Sequence, residues 1–159
     1  MKIEIFADGM NRHDALKNPV QVACRAIVLD NDKVLAEYIP VQDLFNIPGG
    51  RLEKGETLEQ CCLRELKEET GVDGEIIAKT VTIYEYFPEN TVESHFYLVK
   101  PLSLIPGQVS LTDEEIRNGC IVKWYNVLDL LDILESYVSK HPYGENIHQR
   151  EMLGLINSI

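Results

Sequence analysis

The order of residue patterns along the chain predicts an α/β fold, a mixed β-sheet held between layers of helix. Two observations carry the prediction. Apolar, β-branched runs of strand length stand on both sides of one long pattern of helical period, and two more helical patterns close the chain. The chain has 159 residues, 45% of them hydrophobic, which suits one domain over residues 1–159. A domain of that size buries roughly two-thirds of its unfolded surface and needs no disulfide or metal to fold.

The elements follow in order. Lys2 to Phe6 alternates polar and apolar residues, as a short edge strand does. Asn18-Pro19 breaks the chain before Val20 to Leu29, an apolar run that predicts a buried strand. Asp30-Asn31-Asp32 reads as a turn, Lys33 to Ile39 as the return strand, and Pro40 as its end. Leu44 to Ile47 is a short extended piece that enters a glycine-rich loop at Pro48-Gly49-Gly50. The helix over Thr57 to Thr70 has the best-marked ends. Thr57 and Gln60 form a capping box, and Gly71 is a C-terminal stop. Glu75 to Phe87 and Glu93 to Val99 are predicted strands around Pro88-Glu89-Asn90. Pro101 to Leu111 is a loop, and Ile121 to Tyr125 a last strand. Asn126 caps a helix over Leu128 to Tyr137, and Glu145 to Ile156 is the final helix.

Composition excludes several function classes. The balance of 15 Lys+Arg against 26 Asp+Glu gives −11, which opposes binding to long nucleic acids. Acidity of this kind usually reflects solubility, and clustered acids that hold a divalent cation are the alternative. No apolar run approaches the ~20 residues that span a bilayer, so no membrane partner is expected. The N-terminal stretch Met1 to Asp8 carries acids where a signal peptide would not. A cytoplasmic location is the expectation. Cys24, Cys61, Cys62 and Cys120 form no C-x-x-C pair and read as reduced thiols that serve as small core residues.

The chemistry gathers on the helix from Thr57. At ~100° per residue, Leu58, Cys62, Leu63 and Leu66 share an arc that faces the core. Glu65, Glu68 and Glu69 stand at i, i+3 and i+4, so their carboxylates are neighbours. Glu69 falls inside the apolar arc and in the last turn, where an acid opposes the helix dipole. Glu59 also falls on that arc, but in the first turn, where acids suit the dipole. Three compensations are open: pairing of Glu68 with Arg64, one carboxylate kept protonated, or a divalent cation bound by hard oxygen ligands. On pattern alone a charge-laced surface helix accounts for the acids as well as a cation site does. Gly49, Gly50 and Gly55 upstream add a loop that can approach a ligand closely.

The spacing is specific. Gly50, five residues, Glu56, seven residues, Arg64-Glu65-Leu66, Lys67, Glu68-Glu69, Thr70 and Gly71-Val72 resembles the Nudix box over residues 50–72 without departure. The strand and helix order resembles the Nudix fold over most of the chain. The resemblance implies a Nudix-like α/β/α sandwich with a mixed β-sheet. It implies metal-dependent hydrolysis of the diphosphate linkage of a small nucleoside diphosphate derivative, with Mg²⁺ as cofactor and Mn²⁺ as a substitute. Glu65, Glu68 and Glu69 become metal ligands, joined by the carbonyl of Gly49. Glu56 and Arg64 become an ion pair that shapes the loop. The base that activates water comes either from the box or from Asp113, Glu114 or Glu115. Those three acids fit better as a helical turn capped by Thr112.

Outside the box the readings are plainer. His95 is expected at the surface or satisfied in the core, and Tyr84, Tyr86 and Phe87 in sheet packing, with stacking on a base as the alternative. Trp124 is expected in the core, and His141, Tyr143 and His148 at the surface. Arg25 is a cation on an apolar strand that either meets a phosphate or reaches solvent. Pro88 stands sixteen residues past Val72, one more than the spacing common in ADP-sugar members of the resembled family. A long N-terminal dimerisation segment is not expected, and a homodimer stays open. Two other functions compete: a silent Nudix regulatory domain that binds a nucleotide or protein, and an isoprenyl diphosphate isomerase. The complete set of box glutamates disfavours the first. No residue is identified for the additional catalytic groups of the second.

Overall fold

The computed structural model describes residues 1–103 and 119–159. Among them the chain runs through β1 (Lys2–Phe6), α1 (Arg12–Ala15), β2 (Val20–Asp30), β3 (Lys33–Ile39), β4 (Leu44–Asn46) and β5 (Gly49–Arg51). It continues through α2 (Leu58–Thr70), β6 (Gly74–Tyr86), β7 (Thr91–Pro101), β8 (Ile121–Asn126), α3 (Val127–Ser136) and α4 (Gly144–Ile156).

The strands form a mixed sheet in the order β1-β6-β7-β2-β3-β4, with β5 laid on β2 and β8 on β3. β1 pairs with β6 and β2 with β7 in parallel, the latter from Val20–Thr91 to Val28–Val99. β6 and β7 form an antiparallel hairpin. The period-two alternation of strands divides the apolar residues between two cores. On one face Cys24, Ala26, Val28, Tyr97 and Val99 meet Cys61, Cys62 and Leu66 of α2. On the other Ile27, Ile83 and Phe96 meet Leu130 and Leu134 of α3 and Leu155 of α4. The result is the expected sandwich, with α2 on one side and α3 and α4 on the other.

Local chemistry explains the ends of α2. The Thr57 side chain accepts from the Gln60 amide at 3.2 Å, and the Gln60 side chain accepts from the Thr57 amide at 2.8 Å. Gly71 takes φ 72°, a left-handed conformation that a side chain disfavours, and its amide donates to Lys67 O. Two elements were not expected. The four-residue α1 is capped by Asn11, whose side chain accepts from the Asp14 amide. The glycine-rich loop forms a strand, β5, because it pairs with the long β2.

Three outcomes differ from the sequence reading in burial. Cys24, Cys61 and Cys62 are core residues, but Cys120 is only half-buried. His148 is buried, not at the surface, because α4 packs over β4 and the Phe45 amide donates to its Nε2 at 3.1 Å. His141 and Tyr143 are half-buried. Asp113, Glu114, Glu115 and Thr112 lie outside the described residues. So does most of the predicted Pro101–Leu111 loop. No helix among the described residues is long and apolar enough to cross a membrane.

Candidate active site

The site begins with a strand pairing. β5 lies antiparallel on β2, with Gly49 opposite Arg25 and Gly50 opposite Cys24. The Ala26 amide donates to Pro48 O at 2.8 Å and the Leu52 amide to Val22 O at 3.0 Å, closing the pairing at both ends. Gly49 has φ 154°, and a Cβ there would stand 2.0 Å from Cys24 O. Only glycine lets the two backbones come this close. At Gly50 a Cβ would lie 2.5 Å from the Glu65 carboxyl carbon. The missing side chain is the space that the Glu65 carboxylate uses.

Arg64 ties the loop to the helix. Its Nε and Nη2 donate to the two oxygens of Glu56 at 3.0 and 2.8 Å, a bidentate ion pair. Nη2 also donates to Arg51 O at 3.0 Å. Nη1 donates to Glu65 Oε1 at 2.8 Å and to Glu68 Oε2 at 3.2 Å. The guanidinium holds the Glu56 carboxyl down at about 2, against the cost of partial burial, and Glu56 in turn raises the pKa of Arg64. The structure thus forms the expected Glu56–Arg64 pair and extends it to two of the three cluster glutamates.

Glu69 has a different setting. It is 6% exposed, and its Oε2 accepts from the Gly49 amide at 2.7 Å. Burial raises its pKa well above the ordinary carboxyl value, and the charge of Glu37 raises it further. Arg25 and the Gly49 amide pull the other way. Arg25 was expected to meet a phosphate or solvent, but its Nη1 donates to Ile47 O at 3.3 Å and to Gly49 O at 3.2 Å, holding the loop carbonyls. Glu37 was not foreseen. It is 3% exposed on β3, and Cys120 Sγ donates to its Oε2 at 2.9 Å. Its signal was a lone acid two positions beyond Leu35 in an apolar strand, on the strand face that meets α2.

These groups line a cleft of about 470 Å³, in which Glu65, Glu68, Glu69 and Glu37 share the lining with Arg25, Arg64 and Gly49. The donor set is carboxylate and carbonyl oxygen, the kind that hard divalent cations take. The cradle left by Gly50 seats one of those carboxylates, and Glu69 is a buried acid beside another acid. The residues therefore fit a divalent ion. As the side chains stand, no three acidic, histidine or cysteine residues among those described converge into a metal centre. Glu65 and Glu68 face Arg64, and Glu69 faces the Gly49 amide.

Other candidates lie elsewhere. His95 is buried and paired, with Nε2 2.8 Å from Glu93 and Nδ1 3.2 Å from Thr82 Oγ1. Burial lowers its pKa. Tyr86 donates to Glu4 at 2.6 Å, and Lys2 stands over the Tyr84 ring, so both tyrosines serve the β1 edge. Trp124, expected in the core, is a further difference in burial: it is only half-buried, packed at the edge of the core beneath α2.

With this geometry established, the NUDIX domain model matches residues 19–145. An ADP-ribose pyrophosphatase from Bacillus subtilis is 29% identical over 147 residues, covering 89% of this chain and 78% of the relative. An 8-oxo-dGTP diphosphatase from Proteus vulgaris is 32% identical over 87 residues, 52% of this chain and 78% of the relative. A solved NUDIX hydrolase from Nitrosomonas europaea superposes with a TM-score of 0.65 over 88% of each chain, at 22% identity, a likeness of fold. The chain belongs to the Nudix hydrolase family.

Proposed function

We propose that this chain is a divalent-metal-dependent pyrophosphohydrolase that cleaves the diphosphate linkage of a small nucleoside diphosphate derivative. The observation that carries the reading is Glu69, a carboxylate buried beside Glu37 in the same cleft as Glu65 and Glu68. Two buried acids that share a cleft are unfavourable in an ordinary core and common where a site needs them. Glu65, Glu68, Glu69 and the Gly49 carbonyl are the ligands for Mg²⁺, with Mn²⁺ as a substitute. When bound, such an ion neutralises phosphate oxygens and lowers the pKa of water.

The remaining roles belong to the chain. Arg64, fixed by Glu56, sets the spacing of Glu65 and Glu68 and keeps them in reach of the loop. Arg25 holds the Gly49 carbonyl in place and supplies positive charge at the cleft for an anionic substrate. A carboxylate takes the proton of the attacking water, from the box or from Asp113, Glu114 or Glu115. The names of the Bacillus and Proteus relatives support a nucleotide phosphoanhydride as the substrate class. The charge of −11 supports a mononucleotide-sized substrate over a long nucleic acid. A soluble, cytoplasmic protein is part of this reading.

The test is phosphate release from a panel of nucleotide derivatives in Mg²⁺, with products identified by mass. Hydrolysis of at least one should stop in excess EDTA and return with Mg²⁺ or Mn²⁺. Full turnover in EDTA ends the metal assignment, and no turnover of any derivative ends the enzyme assignment. Preference for a 5′-triphosphorylated RNA oligomer over every free nucleotide would refute the substrate size.

A further inference from the structure

A second recess, of about 420 Å³, opens beside the carboxylate cleft. Arg25 and Arg51 line both cavities, so they form the wall between them. In a chain of net charge −11, two guanidinium groups at this junction are a local exception. A phosphate that crosses from one cavity to the other passes both of them.

The far side of the recess is aromatic. The rings of Phe87 and Tyr143 meet at 4.7 Å between centroids, tilted by 53°, and the His141 ring stands 6.3 Å from that of Tyr143. Phe87 is fixed by a turn in which its amide donates to Asn90 O at 2.9 Å. Tyr143 precedes α4 and is half-buried, so its ring closes the recess without being lost in the core. Gln21 and Asn90 add amide groups, each able to donate and accept.

Arg150 gives the recess a rigid part. It is 5% exposed, donates from Nη1 to Glu85 Oε2 at 2.8 Å, and pairs with Glu151 through Nε and Nη2. Glu85 lies on β6 and Glu151 on α4, so the cluster ties the helix to the sheet next to the recess. Two tilted aromatic rings, hydrogen-bonding amides beside the Glu89 carboxylate, and a cationic exit toward the carboxylates together match one ligand shape. That shape is a planar heterocycle carrying a phosphate.

We infer that this recess binds the base of the nucleotide substrate against Phe87 and Tyr143, with Arg25 and Arg51 guiding its phosphates into the carboxylate cleft. The inference rests on the pyrophosphohydrolase reading for its orientation, and its test is separable from that reading. Stacking is tolerant of sequence because every base has a π-face. The aromatic wall therefore sets the preference for a base over none.

Titration calorimetry of the intact chain, in EDTA and in Mg²⁺, measures this with AMP, GMP, ribose 5-phosphate and inorganic phosphate as probes. Both mononucleotides should bind at least about 5-fold more tightly than ribose 5-phosphate. Tyr143→Ala should weaken them by about 5- to 100-fold, the range of single base–aromatic stacks. It should leave ribose 5-phosphate unchanged, and Tyr143→Phe should retain the nucleotide affinity. Equal affinity for AMP, GMP and ribose 5-phosphate overturns the inference, as does Tyr143→Ala with parental nucleotide affinity. Should Tyr143→Ala fail to fold, amide shifts of the parent chain with GMP decide. Shifts at Gln21, Phe87, Asn90 and Tyr143 support the recess, and shifts confined to residues of the carboxylate cleft overturn it. A chain that prefers both mononucleotides to ribose 5-phosphate but hydrolyses nothing refutes the enzymatic reading alone. A chain that hydrolyses nucleotides but binds them no more tightly than ribose 5-phosphate refutes the recess alone.

Discussion

Gly50→Ala adds one methyl group to β5 and tests whether the carboxylate cleft depends on it. The added Cβ would lie 2.5 Å from the Glu65 carboxyl carbon and 2.6 Å from each of its oxygens. Carbon–carbon contact settles near 3.5–4.0 Å, so one group must move by about 1 Å. The Glu65 carboxylate ends a flexible side chain, and it moves more readily than backbone. Loss of Gly from a strand gains up to about 1 kcal/mol, and a weakened Arg64–Glu65 contact offsets that. The melting temperature should stay within about 6 °C of the parent. Activity should not, because a misplacement of about 1 Å at a reacting group costs about 100-fold in kcat. Gly49→Ala is the contrast. Its Cβ would meet backbone, 2.0 Å from Cys24 O and 2.9 Å from Arg25 Cα, at φ 154°. Overpacking and backbone strain together cost about 2–6 kcal/mol, so this variant should melt lower by up to about 20 °C. Steady-state hydrolysis in Mg²⁺ and thermal melts in one buffer measure both. Parental kcat in Gly50→Ala, or a loss explained by its unfolded fraction, would refute the role given to the Glu65 position.

Glu65→Gln, Glu68→Gln and Glu69→Gln should each lower kcat by orders of magnitude, while Glu59→Gln stays within a few-fold; Glu69→Gln with intact activity and metal affinity refutes its assignment. Glu69→Gln should also leave the metal-free chain as stable or more stable by up to about 1 kcal/mol in urea unfolding, since it removes an acid whose ionised form burial and Glu37 disfavour. Arg64→Lys replaces a planar fork by a point charge and cannot hold Glu56 bidentately while reaching Arg51 O. It should cost about 1–3 kcal/mol in urea unfolding, and a midpoint equal to the parent's speaks against the bridging role. Glu56 has a folded pKa of about 2 against 4.5 ordinarily, so its contribution is fully present above the ordinary value and is lost as pH falls toward 2. The stability gap between parent and Glu56→Gln should therefore narrow from pH 6 to pH 2, and a gap independent of pH counts against the ion pair.

The helix that carries the site was legible because its signals are local. Thr57, Gln60 and Gly71 mark its ends within the sequence itself, and Glu69 stands out as an acid on its buried arc. The partners of Glu69 were harder to read. Glu37 comes from another strand, and only the register of the sheet brings it near. Arg25 was noticed as out of place, but its target carbonyl at Gly49 depends on the unforeseen pairing of β5 with β2. The Arg150, Glu85 and Glu151 cluster left no sequence signal, since Glu85 sits on a strand far from α4 in the chain. His148 was misread because its apolar surroundings come from β4, not from its own helix.

The parallel pairing of β2 with β7 also governs when the site can exist. The box segment, from Gly49 through Glu69, lies in the chain between those two strands. During synthesis the entire glycine loop and helix α2 leave the ribosome before β7 does. At the usual pace of translation, β2 then waits several seconds for its parallel neighbour. Through that interval the β2 edge that pairs with β7 has no strand beside it, and long-range parallel pairing is intrinsically slow to form. A fragment ending after Val72 would contain every residue of the box and still lack the strand that backs it. The box segment is contiguous in sequence, yet the strand that backs it comes about twenty residues after it in the chain.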